Sequence, residues 1–413
     1  MIDLDRWQEI LYTLGKHKLR TALTAFGVFW GIFMLVALLG AGKSLEKGAM
    51  QGFAGRTNAV FLWTTGGTQL PYQGYAAGRR ITLKDRERDA VRAIPEVGYF
   101  STVNNLGGWL VNQFVVRGEN SGSFRTRGVE PDQMHIGGYK LAAGRTLNSL
   151  DFEQLRKVVF IGTEVRDILF EAHENPIGAA VEIGGVHFTV IGVFEALDPN
   201  DRELVTQVVM PNSTLRKAYN QSWYSHFEFT PVAGVSAIAL EERITTVLKE
   251  LNHVHPEDNG AFGSFNMERE FNKIRGLFSG IKMFSWVVAI GTIIAGVVGV
   301  GNIMLIIIKE RTREIGLKKA LGATSWNVVG TILQESLVLT LIAGYLGLAA
   351  GVFALEGASA LMAQGESMFA ATSFDFATAL IALAVLVVAG GLAAVLPASK
   401  AALVDPIVAL QDE

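Results

Sequence analysis

Cysteine is absent from this 413-residue chain. No disulfide and no thiolate metal site can form, and the composition carries no mark of the redox compartment. Charge is scarce as well: 18% of residues are Asp, Glu, Lys or Arg, and the formal net charge is −3. So small an imbalance leaves no footprint for nucleic acid or for an acidic substrate. The 7 histidines are mostly scattered and build no pH-sensing cluster. No serine, histidine and acid set carries the local signature of a hydrolase, so no catalytic residue is assigned.

A nucleotide loop is missing too. Gly42, Lys43 and Ser44 match its end, but the pattern needs a glycine where Ala37 stands. If ATP drives this protein, another chain is expected to bind it, and no cofactor is expected on this one. His253, His255, Glu257 and Asp258 group together, and a polar loop at a helix end accounts for them without a metal.

What the chain has in abundance is apolar sequence, with 50% hydrophobic residues and a mean hydropathy of +0.31. An α-helix needs about 20 apolar residues to cross a bilayer. Four segments meet that length: 21–42, 283–308, 326–355 and 376–396. The first follows Lys16, Lys18 and Arg20 and ends in Gly40, Ala41 and Gly42. It exceeds the roughly 7 to 15 apolar residues of a signal peptide, so it reads as an uncleaved anchor.

Basic residues orient the spans. Lys16, Lys18 and Arg20, the cluster between Lys309 and Lys319, and Lys400 all fit the cytoplasmic side at once. Residues 43–280 then lie outside, as does the 356–375 loop, whose Glu356, Glu366 and Asp375 meet no Lys or Arg. Both termini, 1–20 and 397–413, are placed in the cytoplasm. Trp7, Ile10, Leu11 and Leu14 recur three and four apart, which predicts an amphipathic segment lying on the inner surface.

The outside region reads as mixed α and β. Thr82 with Asp85 resembles a capping box for a helix that ends at Ile94, before Pro95. Runs at 157–162, 180–183 and 187–194 are rich in β-branched and aromatic residues and predict strands. A helix is expected over 239–251, with Leu240, Ile244, Val247, Leu248 and Leu251 on one face. From Phe262 to Ile281 the chain is expected to be helical and to continue into the second span. The fold class is therefore an integral membrane protein with four helical spans and a large mixed α/β extracytoplasmic domain between the first two.

The segment 309–325 is a charged handle between the second and third spans. Glu310, Arg311, Arg313, Glu314, Lys318 and Lys319 make it polar, Leu317, Ala320 and Leu321 sit together on an apolar face, and Ile315 and Gly316 complete the candidate coupling segment. Glu314 four before Lys318 and Glu310 three before Arg313 support a short helix. Gly322 suits its stop, and Thr324 or Ser325 suits the cap of the next span. A helix of this kind flush with a membrane reads as a docking surface for a cytoplasmic partner. Within the spans, Gly27 and Gly31, Gly296 and Gly299, and Gly347 and Gly351 permit close helix approach, inside one chain or between two. Asn302 and Glu335 are the polar exceptions in or near the spans, and Glu335 stands out as an intramembrane acid near the inner surface.

These residues carry a resemblance. ERTREIGLKKALGAT at 310–324, preceded by GNIML, resembles the cytoplasmic loop of MacB-type ABC transporter permeases. The similarity extends through HKLRTALTAFGVFWGI at 17–32, GVEPDQ at 128–133, AAGR at 142–145, NPIGAAVEIGG at 175–185, FTVIGVF at 188–194 and LPASKAALVDPIVAL at 396–410. It implies a bacterial inner-membrane permease, dimeric with itself or a related permease. Its outside domain would divide into a porter-like αβ part and an inserted, mostly β part at about 111–211.

MacB carries an ATPase domain on the same chain. The short stretch before the first span here resembles instead the separate-permease branch, with ATP and Mg expected on a cytoplasmic ATPase partner. A periplasmic adaptor, an outer-membrane channel and membrane lipid are further implied partners, and nucleic acid is not. Export of a drug, peptide or lipid-linked molecule by mechanotransmission is the implied function. A lipoprotein-releasing permease of the LolC and LolE kind and an FtsX-like regulator of cell-wall hydrolases are the alternatives. A membrane-anchored enzyme is a third, and it lacks a catalytic constellation.

Overall fold

The computed structural model describes residues 18–51, 56, 58–199, 201–362 and 376–403. The expected amphipathic segment at 1–17, Glu366, Asp375 and the tail beyond 403 lie outside them. The chain forms two compact units, one from Met50–Ile274 and the other from Met1–Ala49 with Arg275–Glu413.

Helix α1 (Lys18–Gln51) opens the second of these units. The Met50–Ile274 unit then runs β1 (Val60–Thr64), α2 (Asp85–Arg92), β2 (Val97–Asn105), β3 (Gln113–Arg117), β4 (Asn120–Val129), α3 (Gln133–Ile136) and β5 (Tyr139–Gly144). It continues with α4 (Ser149–Glu153), β6 (Val158–Gly162), α5 (Thr163–Leu169), β7 (Ala180–Ile183), β8 (Val186–Ala196), α6 (Arg202–Val205), β9 (Gln207–Pro211) and α7 (Asn212–Ala218). β10 (His226–Pro231), α8 (Ala237–Leu251) and β11 (Phe262–Asn266) close it. Helices α9 (Met267–Glu310), α10 (Thr312–Ala320), α11 (Ser325–Met362) and α12 (Phe376–Ala402) follow.

Two layers of the first unit are distinguished by their cores. β11, β1, β10 and β2 pair in that order, all antiparallel. α2 and α8 cover this sheet, and Val60, Leu62, Phe100, Phe227, Phe229, Ile244 and Leu248 fill the space between. Alternation along β1 places Val60 and Leu62 inward, as a strand with one covered face requires. Of the remaining strands, from the excursion between β2 and β10, six pair in a closed circuit that runs β4, β3, β7, β8, β6, β9 and back to β4, and β5 pairs with β8 off that circuit. Its β9 to β4 and β6 to β8 pairings are parallel. Phe188, Val193, Val208 and Met210 are buried within it.

Three details differ from what the residues suggest. The helix cap lies two residues later than Thr82: α2 begins at Asp85, and the Glu87 carboxylate accepts from the Lys84 backbone N–H at 3.0 Å. A lysine nitrogen has no lone pair to complete the box. Phe262–Asn266 is a strand rather than a helix, because its backbone completes the sheet beside β1, and the helix starts at Met267. The apolar helices also overrun the expected spans, since apolar length counts only the lipid-compatible residues and the flanking turns stay helical.

Among the described residues three helices are long and apolar enough to cross a membrane, at Ala25–Met50, Met267–Glu310 and Ser325–Leu361. Val387–Ala402 of α12 is a shorter apolar stretch. Packing between α1 and its neighbours depends on small residues. A Cβ on Gly347 would stand 2.4 Å from the Phe29 carbonyl oxygen, and one on Gly351 would stand 2.9 Å from Val36. Gly27, Gly31 and Gly296 likewise pack α1 on α9 within the chain, whereas Gly299 faces open space.

Candidate functional site

The handle is built where α9 ends. Arg311 breaks the helical run, α10 follows, and Gly322 turns the chain back at φ +100°, a conformation that costs glycine little. Thr324 Oγ1 accepts from the Asn327 N–H at 3.3 Å and starts α11. Gly316 is buried, while Arg313, Leu317, Ala320 and Leu321 are exposed. Leu317 is 51% and Leu321 81% exposed, so among the described residues nothing covers this apolar face.

Arg311 organises the other face. Its Nε donates to Glu314 Oε2 at 2.9 Å and its Nη2 to Glu314 Oε1 at 3.0 Å, a bidentate pair. Nη1 reaches Glu335 Oε1 of α11 at 3.1 Å, and Glu335 is buried. Lys318 Nζ stands 3.3 Å from Glu314 Oε1. The hydrogen bond from Arg311, the charge of Arg311 and that of Lys318 outweigh partial burial and hold the Glu314 carboxyl down at about 2. A cavity of about 100 Å³ lies under these groups, walled by Ile307, Ile315 and Ile332. Lys319 Nζ donates to the Ala402 carbonyl at 2.8 Å, a cation on the last turn of α12. The handle is thus fastened to α11 by an ion pair and to α12 by a lysine.

Sequence reasoning names Arg311, Glu314 and Glu335 separately but not as one bridge, and Arg313, named beside them, is exposed. Asn302 is exposed on α9, away from this bridge. The other candidate groups stay apart. Gly42, Lys43 and Ser44 lie inside α1, where the helix occupies the backbone N–H groups that a phosphate loop must present. His253 Nδ1 meets Gln73 Oε1 at 2.8 Å, His255 packs edge-on against Tyr72, and Asp258 accepts from the backbone of Gln69, Leu70 and Gly260. Among the described residues no three His, Asp or Glu groups converge on a metal position.

The start of α9 holds a second fastening that the sequence did not signal. Glu268 accepts from Ser236 Oγ at 3.0 Å and from the N–H groups of Ala237 at 2.5 Å and Ile238 at 3.2 Å. It caps α8 with a charge from another element. Glu241 of α8 returns the contact, accepting from Asn266 Nδ2 at 2.6 Å and pairing with Arg269 at 3.1 Å. Glu268→Ala is expected to cost about 1 kcal/mol, the usual loss for a helix cap. Thermal unfolding of the full chain in detergent measures it, and an unchanged midpoint would remove Glu268 from this role.

Residues 21–247 match the MacB-like periplasmic core domain, and residues 286–406 match the FtsX-like permease C-terminal domain. The chain belongs to the MacB/FtsX family of ABC transporter permeases. This permease is 25% identical over 413 residues to the uncharacterized ABC transporter permease YknZ of Bacillus subtilis (strain 168), covering 99% of both chains. It is 27% identical over 421 residues to the macrolide export ATP-binding/permease protein MacB of Shewanella sp. (strain W3-18-1), covering 99% of this chain and 61% of that one. The chain spans about three fifths of the length of that MacB relative. The periplasmic region of MacB from Actinobacillus actinomycetemcomitans aligns in structure with 54% of this chain and 95% of its own, at 21% identity and a TM-score of 0.43.

Proposed function

We propose that this permease converts ATP binding and hydrolysis by a cytoplasmic ATPase into movement of its extracytoplasmic unit, and so extrudes a substrate captured there. The observation that carries this is the handle: an uncovered apolar face on one side, and Arg311 joined to both Glu314 and Glu335 on the other. A partner seated on Leu317 and Leu321 would pull on α11 through a buried ion pair and on α12 through Lys319. α9 runs as one 44-residue helix from the Glu268 fastening to the handle, the continuity that rigid-body transmission needs. ATP and Mg belong to the ATPase component in this scheme, α12 is the fourth span, both ends are cytoplasmic, and two permease protomers act together.

The test is co-purification of the full chain with its ATPase, in parallel with Leu317→Glu and Leu321→Glu variants. A complex formed by the native chain and lost in both variants supports docking on this face. Retention of the ATPase by both variants would place docking elsewhere and defeat the proposal.

A further inference from the structure

A cleft of about 250 Å³ opens between α1, α9 and α12. Leu35 and Leu39 of α1, Trp286 of α9 and Ile381 of α12 give it apolar walls, and Lys43, Glu46 and Lys282 are its charged lining. Neither the coupling scheme nor the family match gives this cleft a role.

The sequence sets its depth in the bilayer. Lys43 is the first charged residue after the apolar run of α1, and Lys282 is the last before the apolar run of α9. Both helices are long and apolar enough to cross a membrane, so the two lysines mark the same bilayer face, at the level of the lipid head groups. Leu39 and Leu35 then lie one and two turns deeper, roughly 6 and 12 Å at the helical rise, among acyl chains. Trp286, one turn inward from Lys282, sits in the boundary layer that tryptophan favours. A molecule that reaches this cleft from the bilayer is a lipid.

The charges select among lipids. Glu46 and Lys282 line one cleft from two helices, yet among the described residues neither meets an opposite charge. An anion would satisfy Lys282 and be repelled by Glu46; a cation would do the reverse. A zwitterion with phosphate and ammonium a few bonds apart satisfies both, and Lys43 adds a second cation on the phosphate side. A primary ammonium donates hydrogen bonds to a carboxylate, which a quaternary amine cannot do.

We infer that this cleft binds one zwitterionic phospholipid whose head group ends in a primary amine. Its phosphate meets Lys282 and Lys43, its ammonium meets Glu46, and the first part of one acyl chain lies along Leu39, Leu35 and Trp286. The rest of the molecule stays in the bilayer. Such a lipid ties α1 to α9 where both leave the membrane, and its supply sets how firmly those ends are held. This is independent of the coupling proposal and survives its failure.

The full chain is reconstituted in phosphatidylcholine nanodiscs into which phosphatidylethanolamine, phosphatidylglycerol or phosphatidylcholine with brominated chains is titrated. Trp286 fluorescence, taken as the difference from a Trp286→Phe chain, reads quenching in the cleft. The ethanolamine lipid is expected to quench at a mole fraction about tenfold below either other lipid, the worth of one charge-assisted hydrogen bond. Glu46→Gln should abolish the preference for ethanolamine over glycerol lipid, and Lys282→Gln should weaken both relative to choline lipid. Native mass spectrometry supplies a second readout, with one ethanolamine lipid retained per native chain and none when both residues are replaced. Equal quenching by the three lipids, a preference for the glycerol lipid in the native chain, or an ethanolamine preference untouched in both variants overturns the site.

Discussion

Arg311→Met is expected to leave the ATPase docked and to uncouple it. The exposed face with Leu317 and Leu321 is unaltered by this change, while the bidentate contact to Glu314 and the bridge to Glu335 are both lost. Removing one partner of a partly buried ion pair costs less than the roughly 3 to 5 kcal/mol of a fully buried one, about 1 to 3 kcal/mol here. Methionine keeps the apolar stem, which separates loss of charge from loss of packing. ATPase turnover of the reconstituted complex should lose its dependence on the permease, with at least a tenfold fall in transport. Arg311→Met combined with Glu335→Met should recover thermal stability but not coupling. Full coupling in the single variant would defeat this role for Arg311.

Arg127→Met should be the most destabilising single change in the Met50–Ile274 unit. Glu228 is buried, hydrogen-bonded to Gln133 and 2.9 Å from His226 Nε2, and Arg127 is its compensating charge. Burial pushes the Glu228 carboxyl up, but Arg127, His226 and Gln133 overcome it and hold the group at about 2. Loss of the arginine should cost roughly 3 to 5 kcal/mol, and the double change with Glu228→Met should return most of it.

Acid should act on the same cluster. The contribution of Glu228 is fully present above its ordinary value near 4.5 and is lost as pH falls from there toward 2. Burial, against the opposing pull of Glu228, keeps His226 neutral below its ordinary 6.5. From pH 6.5 downward the unfolded chain takes that proton first, which also favours unfolding. The unfolding midpoint of the native chain should therefore drop through this range, and the Arg127→Met, Glu228→Met chain should show a shallower fall. Equal slopes would exclude the cluster as the acid-sensitive element.

Much of this architecture is legible because it rests on local signals. Three membrane-length helices follow from apolar runs alone, and β6, β7 and β8 follow from β-branched and aromatic residues between turns. β11 is not legible, since FGSFN has little β-branching and becomes a strand only by pairing with β1. The handle's composition announces a docking helix, but its fastening depends on hairpin closure that brings Glu335 back to Arg311 across 24 residues. The Glu228 cluster is farther from view: Arg127 and Glu228 are 101 residues apart and meet through sheet register. Long-range pairs of this kind have no sequence periodicity, and of this cluster only Gln133 falls in a motif noted in the sequence, GVEPDQ, without a role assigned to it.

The antiparallel pairing of β2 with β10, Val103 opposite His226, sets the chain's points of departure and return on neighbouring strands, about 5 Å apart. Everything between them is an excursion whose ends are already joined. Such an excursion can lengthen, shorten or change its surface in evolution without re-threading the sheet that carries it. Change in the surface of the excursion and preservation of the sheet beneath it can therefore proceed on separate schedules within one gene.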